Sequence, residues 1–335
     1  MIKNIVIVLL LLVYCSTNIL GKNSSNQITV SGISSGGFFA VQFHVAFSSI
    51  VEGAGIIAGG PYYCANGNVD TALSSCMVAP ELISIDELIG ATEYAADLLT
   101  IDATSNLQNS KVWLFSGTAD TIVKSGVVLK LEEYYENYLT DPSTQIKTVY
   151  NYSAEHSYPT NNFGNSCDYL GPDYINNCNI DSAWEILTFL NDYTLSPPNS
   201  TFSSDNIIEL DQSSFIPFGY STTSAGLYSY AYAYVPTQCQ RGTTQCSFHI
   251  VFHGCEQTIP MIGDTFYMNT GYNQIADTNN IIILYPQALA TELNPKGCFD
   301  WWGFAGEDYA SQDGAQMSTV KSMLDSLVSK YDFRI

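Results

Sequence analysis

The sequence is poor in positive charge. Its 335 residues carry 11 Lys and Arg against 32 Asp and Glu, a formal net charge of -21. Nucleic acids and anionic membrane surfaces recruit proteins through Lys and Arg, so neither is an expected partner. Charge of either sign is sparse, at 13% of residues, whereas 23 Tyr and 16 Phe are present. Such a surface suits a neutral ligand, and its acidic balance points to an acid-facing environment. Histidine is scarce, with four in the chain, and no Cys-x-x-Cys pair occurs. A metal centre is therefore not expected, and no other cofactor is called for. Beyond Val13 no apolar run is long enough to cross a bilayer. There is no internal repeat and no low-complexity tract.

The N-terminus is different. Lys3 precedes the apolar run Ile5 to Val13, and small or polar residues follow from Ser16 to Gly21. That is the layout of a secretory signal peptide, expected over residues 1–21 with cleavage near Gly21, or earlier near Cys15. Residues 22–335 are then expected to form one catalytic domain, long enough to bury a single large core. Cysteine use agrees with export. Of nine cysteines, Cys15 falls in or beside the signal, leaving an even eight, as a disulfide framework requires. They fall as neighbours, so the simplest pairing is Cys64 with Cys76, Cys167 with Cys178, Cys239 with Cys246, and Cys255 with Cys298. Asn23, Asn151 and Asn199 each open a glycosylation sequon, which suits surface positions on a secreted, extracellular or secretory-lumen protein.

Along the chain, short apolar strands alternate with amphipathic helices. Strands are expected at Ile28 to Ser31, Gly55 to Ala58, Val112 to Ser116, Lys147 to Tyr152, Phe248 to Phe252 and Ile281 to Tyr285. Tyrosine-rich Gly226 to Val235 alternates as an outer strand does. Helices are expected at Phe38 to Phe47, Ile85 to Leu99, Val127 to Leu139, Ala183 to Leu190 capped by Asp181, and Met317 to Tyr331. Leu195 to Asp205 is linker-like but marks no domain boundary. The pattern is α/β, a single domain around a mostly parallel sheet.

Chemistry enters with Gly32-Ile33-Ser34-Ser35-Gly36. A predicted strand precedes this pentapeptide and a helix follows, the setting of a nucleophile elbow, in which a sharp turn exposes the central serine. Ser34 is the expected nucleophile, and the backbone N–H of Ser35 an expected oxyanion donor. The base must be a histidine. His44 lies on the helix after the elbow, His249 mid-strand, and His253 in a His-Gly pair of the kind that opens an oxyanion loop. His156 alone sits in a loop after a strand and downstream of an acid, as the order Ser, Asp, His demands. Asp120, after the third strand, is the expected acid, and Glu155 the weaker competitor. The N–H of Cys255 is the expected second oxyanion donor. In the usual α/β-hydrolase that loop precedes the nucleophile. Here it comes last, as in a circular permutation, for the last helix would run directly into the first strand if the ends were joined.

These residues resemble a family, the single-domain extracellular poly(3-hydroxybutyrate) depolymerases, which are circularly permuted α/β-hydrolases. The likeness rests on Val30-Ser31-Gly32-Ile33-Ser34-Ser35-Gly36-Gly37, Ala58-Gly59-Gly60-Pro61-Tyr62-Tyr63-Cys64, Ser116-Gly117-Thr118-Ala119-Asp120-Thr121 and His156-Ser157-Tyr158-Pro159-Thr160. It continues in His253-Gly254-Cys255, Asn269-Thr270-Gly271-Tyr272-Asn273, Leu284-Tyr285-Pro286-Gln287-Ala288 and Gly297-Cys298-Phe299-Asp300-Trp301-Trp302-Gly303. The resemblance implies a Ser34, Asp120 and His156 triad and oxyanion donors at Ser35 and Cys255. It also implies a substrate-contacting Trp301, held near the site by pairing of Cys255 with Cys298. Phe299 and Phe304 depart from the aromatics of the relatives and are expected beside the substrate groove. The implied activity is hydrolysis of poly(3-hydroxybutyrate) or related polyhydroxyalkanoates by a monomer through an acyl-enzyme. No separate polymer-binding domain is expected after the catalytic one, so Tyr, Phe and Trp around the mouth are expected to do the adsorbing. A secreted carboxylesterase for feruloyl, acetyl or short-chain esters shares the whole triad and stays open. So does a catalytically silent hydrolase fold used for binding, against which an intact triad argues.

Overall fold

The computed structural model describes residues 27–331, Thr243 excepted. The expected signal peptide, Cys15 and Asn23 lie outside the described residues. Eight strands form the main sheet: β1 (Ile28–Ile33), β2 (Val51–Ile57), β3 (Lys111–Phe115), β4 (Ile146–Val149), and, beyond three short strands, β8 (Ile207–Asp211), β9 (Tyr230–Tyr234), β10 (Ser247–Phe252) and β11 (Ile281–Tyr285). The short strands β5 (Tyr158–Thr160), β6 (Asn165–Ser166) and β7 (Ile175–Asn177) make a small separate sheet, ordered β5-β7-β6.

The main sheet runs β4-β3-β2-β1-β10-β11-β9-β8. Every pair from β4 to β11 is parallel, and β9 is antiparallel to both β11 and β8. Parallel strands covered on both faces read as unbroken apolar runs. That is why β10 and β11, Ser-Phe-His-Ile-Val-Phe and Ile-Ile-Ile-Leu-Tyr, are buried at every position. In β9, Tyr-Ala-Tyr-Ala-Tyr alternates, with Ala231 and Ala233 inward and Tyr230 outward. The outermost strand is β8, from the segment after the linker-like stretch, and periodicity did not reveal it.

The chain enters its sheet at the centre. Strands β1 to β4 fill one half outward, and β8 to β11 return from the far edge to lie against β1. Joining the last helix to β1 and cutting ahead of β8 would put the elbow after the fifth strand from that edge. This is the circular permutation anticipated from the order of motifs.

Among the described residues six helices have eight residues or more: α1 (Ser35–Ala46), α2 (Ile85–Asp97), α3 (Ser125–Glu136), α4 (Ser182–Leu190), α5 (Tyr272–Asn279) and α6 (Ala315–Tyr331). Of these, α1, α3, α4 and α5 pack on the sheet, and α2 packs on α3. All twelve residues of α1 are buried, as an all-round apolar helix requires. Asp181 caps α4, its carboxylate accepting the Trp184 N–H at 3.0 Å. One large hydrophobic core holds most of the buried apolar residues, and Ala225, Leu227 and Ala315 form a small second cluster. The four disulfides form between the expected neighbours, Cys64–Cys76, Cys167–Cys178, Cys239–Cys246 and Cys255–Cys298. Among the described residues no helix is long and apolar enough to cross a membrane.

Candidate active site

Ser34 sits between β1 and α1 with φ 57° and ψ -125°. A non-glycine residue there is strained, and the fold holds it by a hydrogen bond from its N–H to the Ile57 carbonyl at 2.9 Å. The flanking glycines are sterically required. A Cβ on Gly32 would lie 2.2 Å from the Gly36 carbonyl oxygen, and one on Gly36 would lie 2.3 Å from that of His253. The strand-to-helix turn and the neighbouring loop can therefore close on Ser34 only with bare backbone at both places. Ser34 is half-buried.

Asp120 and His156 come from loops after β3 and β4. The loops are laced together by Thr118 N–H to the Tyr152 carbonyl at 2.9 Å and Ala119 N–H to that of Ala154 at 3.2 Å. Gly117 permits this approach, since a Cβ there would be 2.1 Å from the Ala154 oxygen. Asp120 Oδ1 accepts the N–H groups of Ile122 and Val123 at 2.9 and 2.8 Å, while Oδ2 faces His156 Nδ1 at 2.8 Å. A carboxylate at Nδ1 puts the ring proton there and leaves Nε2 as the basic atom. Glu155 is not a second acid on the ring. Its carboxylate accepts the N–H of His156 at 2.6 Å, and the N–H of Thr121 at 2.9 Å together with the Thr121 hydroxyl, so it clamps the two loops. Ser34 and His156 line one cavity without a direct hydrogen bond between them, as is common before substrate tightens a site.

The loop 253–257 leans over the elbow from the end of β10. Ala288 N–H donates to His253 Nε2 at 3.1 Å, so the ring proton is on Nδ1, which donates to the Gly254 carbonyl at 2.7 Å. Burial lowers the His253 pKa to about 4 and keeps the ring neutral. In a trans peptide C=O and N–H point opposite ways, so fixing the Gly254 carbonyl also fixes the direction of the Cys255 N–H. Neither that N–H nor the one on Ser35 has a partner among the described residues. The disulfide to Cys298 ties this loop to the one carrying Trp301.

These parts open on one cavity of about 480 Å³. Its walls are largely apolar: Phe38, Val69, Leu73, Met77, Ile122, Leu170, Leu293, Trp301 and Trp302, with Glu256 and Lys296 at one side. Trp301 lines the cavity although it is 5% exposed, because it lies flat on Phe38 with ring centroids 4.0 Å apart. Beneath it, Asp300 accepts the N–H groups of Trp302, Gly303, Phe304 and Ala305 and so shapes the tryptophan loop.

No protein-family model matches the chain. Its relatives are nonetheless clear. It is 34% identical over 321 residues to a polyhydroxybutyrate depolymerase of Talaromyces funiculosus, covering 91% of each chain. The chain belongs to the polyhydroxybutyrate depolymerase family. It is 43% identical over 310 residues, 92% of its length, to a poly(3-hydroxybutyrate) depolymerase of Delftia acidovorans, and spans 61% of that relative's length. The crystal structure of PHB depolymerase from Penicillium funiculosum superposes with a TM-score of 0.82 at 33% identity, covering 92% of this chain and 97% of that one. A serine-to-alanine PHB depolymerase complexed with an R3HB trimer matches equally, at TM-score 0.82 and 32% identity.

Against this background some expectations change. Phe299 does not border the groove: it is fully buried, packed on Phe39, Phe252 and His253. Phe304 also stands outside the cavity, against Trp302. His249 is packed as expected, hydrogen-bonded to Thr29 at 2.7 Å and Ser31 at 2.8 Å. Sequence reasoning missed Gln257 and the aliphatic wall from Val69 to Met77. A short amphipathic turn between Cys64 and Cys76 was the only signal for that wall.

Proposed function

We propose that the chain is a secreted serine esterase that hydrolyses poly(3-hydroxybutyrate) or a related polyhydroxyalkanoate. The observation that carries this reading is the Asp120–His156 hydrogen bond at 2.8 Å, with His156 and the strained Ser34 lining one apolar cavity. His156 Nε2 takes the Ser34 proton as Oγ attacks the ester carbonyl. The N–H groups of Ser35 and Cys255 bind the oxyanion, in apolar surroundings where such dipoles act strongly. Collapse expels the alcohol, which receives the proton from His156, and water then releases the acid from the acyl-enzyme by the same steps. No step calls for a metal or cofactor.

The polymer as substrate is supported by the named activity of the relatives and by the oligomer bound to a neighbour. The mouth supports it differently from expectation. Its rim is aliphatic rather than aromatic, with Val69, Leu73, Leu170 and Leu293 between 41% and 71% exposed. Exposed apolar side chains around a cleft suit adsorption to a water-insoluble surface. Export is supported by the disulfides and by the exposed sequon residues Asn151 and Asn199. We assign residues 22–335 to one catalytic domain, acting as a monomer without nucleic acid.

The test is release of soluble 3-hydroxybutyrate from a poly(3-hydroxybutyrate) suspension, with Ser34→Ala as control and a short-chain ester alongside. Release by the native chain alone supports both substrate and nucleophile. Hydrolysis of the soluble ester without polymer release discards the polymer. Hydrolysis surviving in Ser34→Ala discards the nucleophile.

A further inference from the structure

We propose that Gln257 is a positioning residue for the oxyanion loop, coupling the donor at Cys255 to the substrate-lining turn at Tyr174. The inference rests on the reading of Ser34 as nucleophile. Gln257 is 1% exposed and its amide is satisfied at both ends. Its Oε1 accepts the Gly254 N–H at 2.7 Å, and its Nε2 donates to the carbonyls of Asp173 at 2.8 Å and Tyr174 at 3.1 Å. An N–H can only donate and a carbonyl can only accept, so the orientation of the amide is settled by its partners.

Position makes those bonds matter to chemistry. A Cβ on Gly254 would stand 3.0 Å from Gln257 Oε1 and 3.3 Å from Ser34 Cβ, so Gly254 is sandwiched between the two residues. His253 holds the Gly254 carbonyl. Gln257 holds the N–H of the same residue, and together they leave the Gly254–Cys255 peptide little freedom to turn. On its other side Gln257 grips two left-handed residues, Asp173 at φ 35° and Tyr174 at φ 51°. Non-glycine residues rest there only where surroundings compel them. Tyr174 lines the cavity, and its hydroxyl donates to Glu256 Oε2 at 3.2 Å. One buried amide thus spans from the wall that meets substrate to the peptide that would meet the oxyanion.

A donor displaced by a fraction of an ångström is felt in the transition state and hardly in the ground state. Gln257→Met fills the space without the three hydrogen bonds. On a soluble short-chain ester kcat should fall roughly 100-fold with KM nearly constant. Affinity for a boronic acid that forms a tetrahedral adduct on Ser34 should fall in parallel, which a merely structural role would not produce. Gln257→Glu, measured the same way, guards against misfolding of the first variant. A folded variant with native kcat and boronate affinity overturns the inference, and so does a loss carried by KM alone. Failure of both variants to fold also overturns it, assigning Gln257 to the fold rather than the donor. Ser34→Ala run in parallel separates the two readings: hydrolysis surviving there sinks the nucleophile, whereas native kcat in Gln257→Met sinks only the positioning role.

Discussion

Lowering the pH from 6.5 to 5 should remove about 4 kcal/mol of folding stability. His44, His249 and His253 are wholly buried, and burial lowers His44 and His249 to about 3 and His253 to about 4. In the unfolded chain each ring takes up its proton near the ordinary value of 6.5. Between those limits the unfolded state binds more protons, so stability rises with pH and is lost as acid is added. Integrated over this interval, three such rings cost about 5 kcal/mol. Asp300 acts in the opposite sense. Burial pushes it from 3.8 up to about 6, against the pull of four backbone N–H donors. It therefore holds a proton in the fold that the unfolded chain has lost, and contributes about 1 kcal/mol on acidification. Domains of this kind are stable by about 5–15 kcal/mol, so the net loss is a large part of the whole. The buried rings thus oppose the acid-facing environment that the surface charge suggests. Urea unfolding followed by tryptophan fluorescence, with disulfides intact, would measure the slope. His44→Gln can keep partners for Tyr135 and Ser110, which now bond the ring at 2.8 and 3.0 Å. It should flatten the slope by roughly 1 kcal/mol per pH unit over this interval. A flat profile between pH 6.5 and 5, or an unchanged slope in His44→Gln, would refute the argument.

Asp120→Asn should keep the fold but lower kcat by roughly 10⁴, because an amide no longer enforces the Nδ1–H tautomer of His156; steady-state kinetics on a soluble ester reads it directly. Replacing both Cys255 and Cys298 by serine opens a 43-residue separation and should cost about 4 kcal/mol. The same change at Cys239 and Cys246, 7 apart, should cost about 2 kcal/mol. Only the first should also depress kcat in the protein that remains folded. Leu73→Ser with Leu293→Ser should cut release from solid polymer several-fold while soluble-ester turnover falls much less; equal losses on both substrates would argue against a rim that adsorbs.

Much of the architecture is legible because it is local. Strand β11 appears where Ile281 to Tyr285 reads as a strand, and Asp181 caps α4 as its position promises. Ser34, Asp120 and His156 could be singled out because an elbow has a local pattern and only four histidines compete for the base. Less was legible where partners come from far along the chain. Glu155 reads as a rival acid until the fold presents the Thr121 backbone to it, 34 residues away. Phe299 reads as a groove residue until α1 and β10 enclose it. Strand β8, an edge strand with Glu209 and Asp211 exposed and no residue fully buried, lacks the apolar run that marked the others.

The sequence by itself determined the elbow, the order of the candidate catalytic groups and hence the permutation, and the pairing of the cysteines 7 to 12 residues apart, because steric turns, hydrophobic period and short loops act over a few residues. Tertiary structure alone decided which side chains share the cavity, that its rim is aliphatic, and that Gln257 bridges the oxyanion loop to the turn at Tyr174. Those contacts join segments some 80 residues apart, and no local preference encodes a meeting that only the closed sheet brings about.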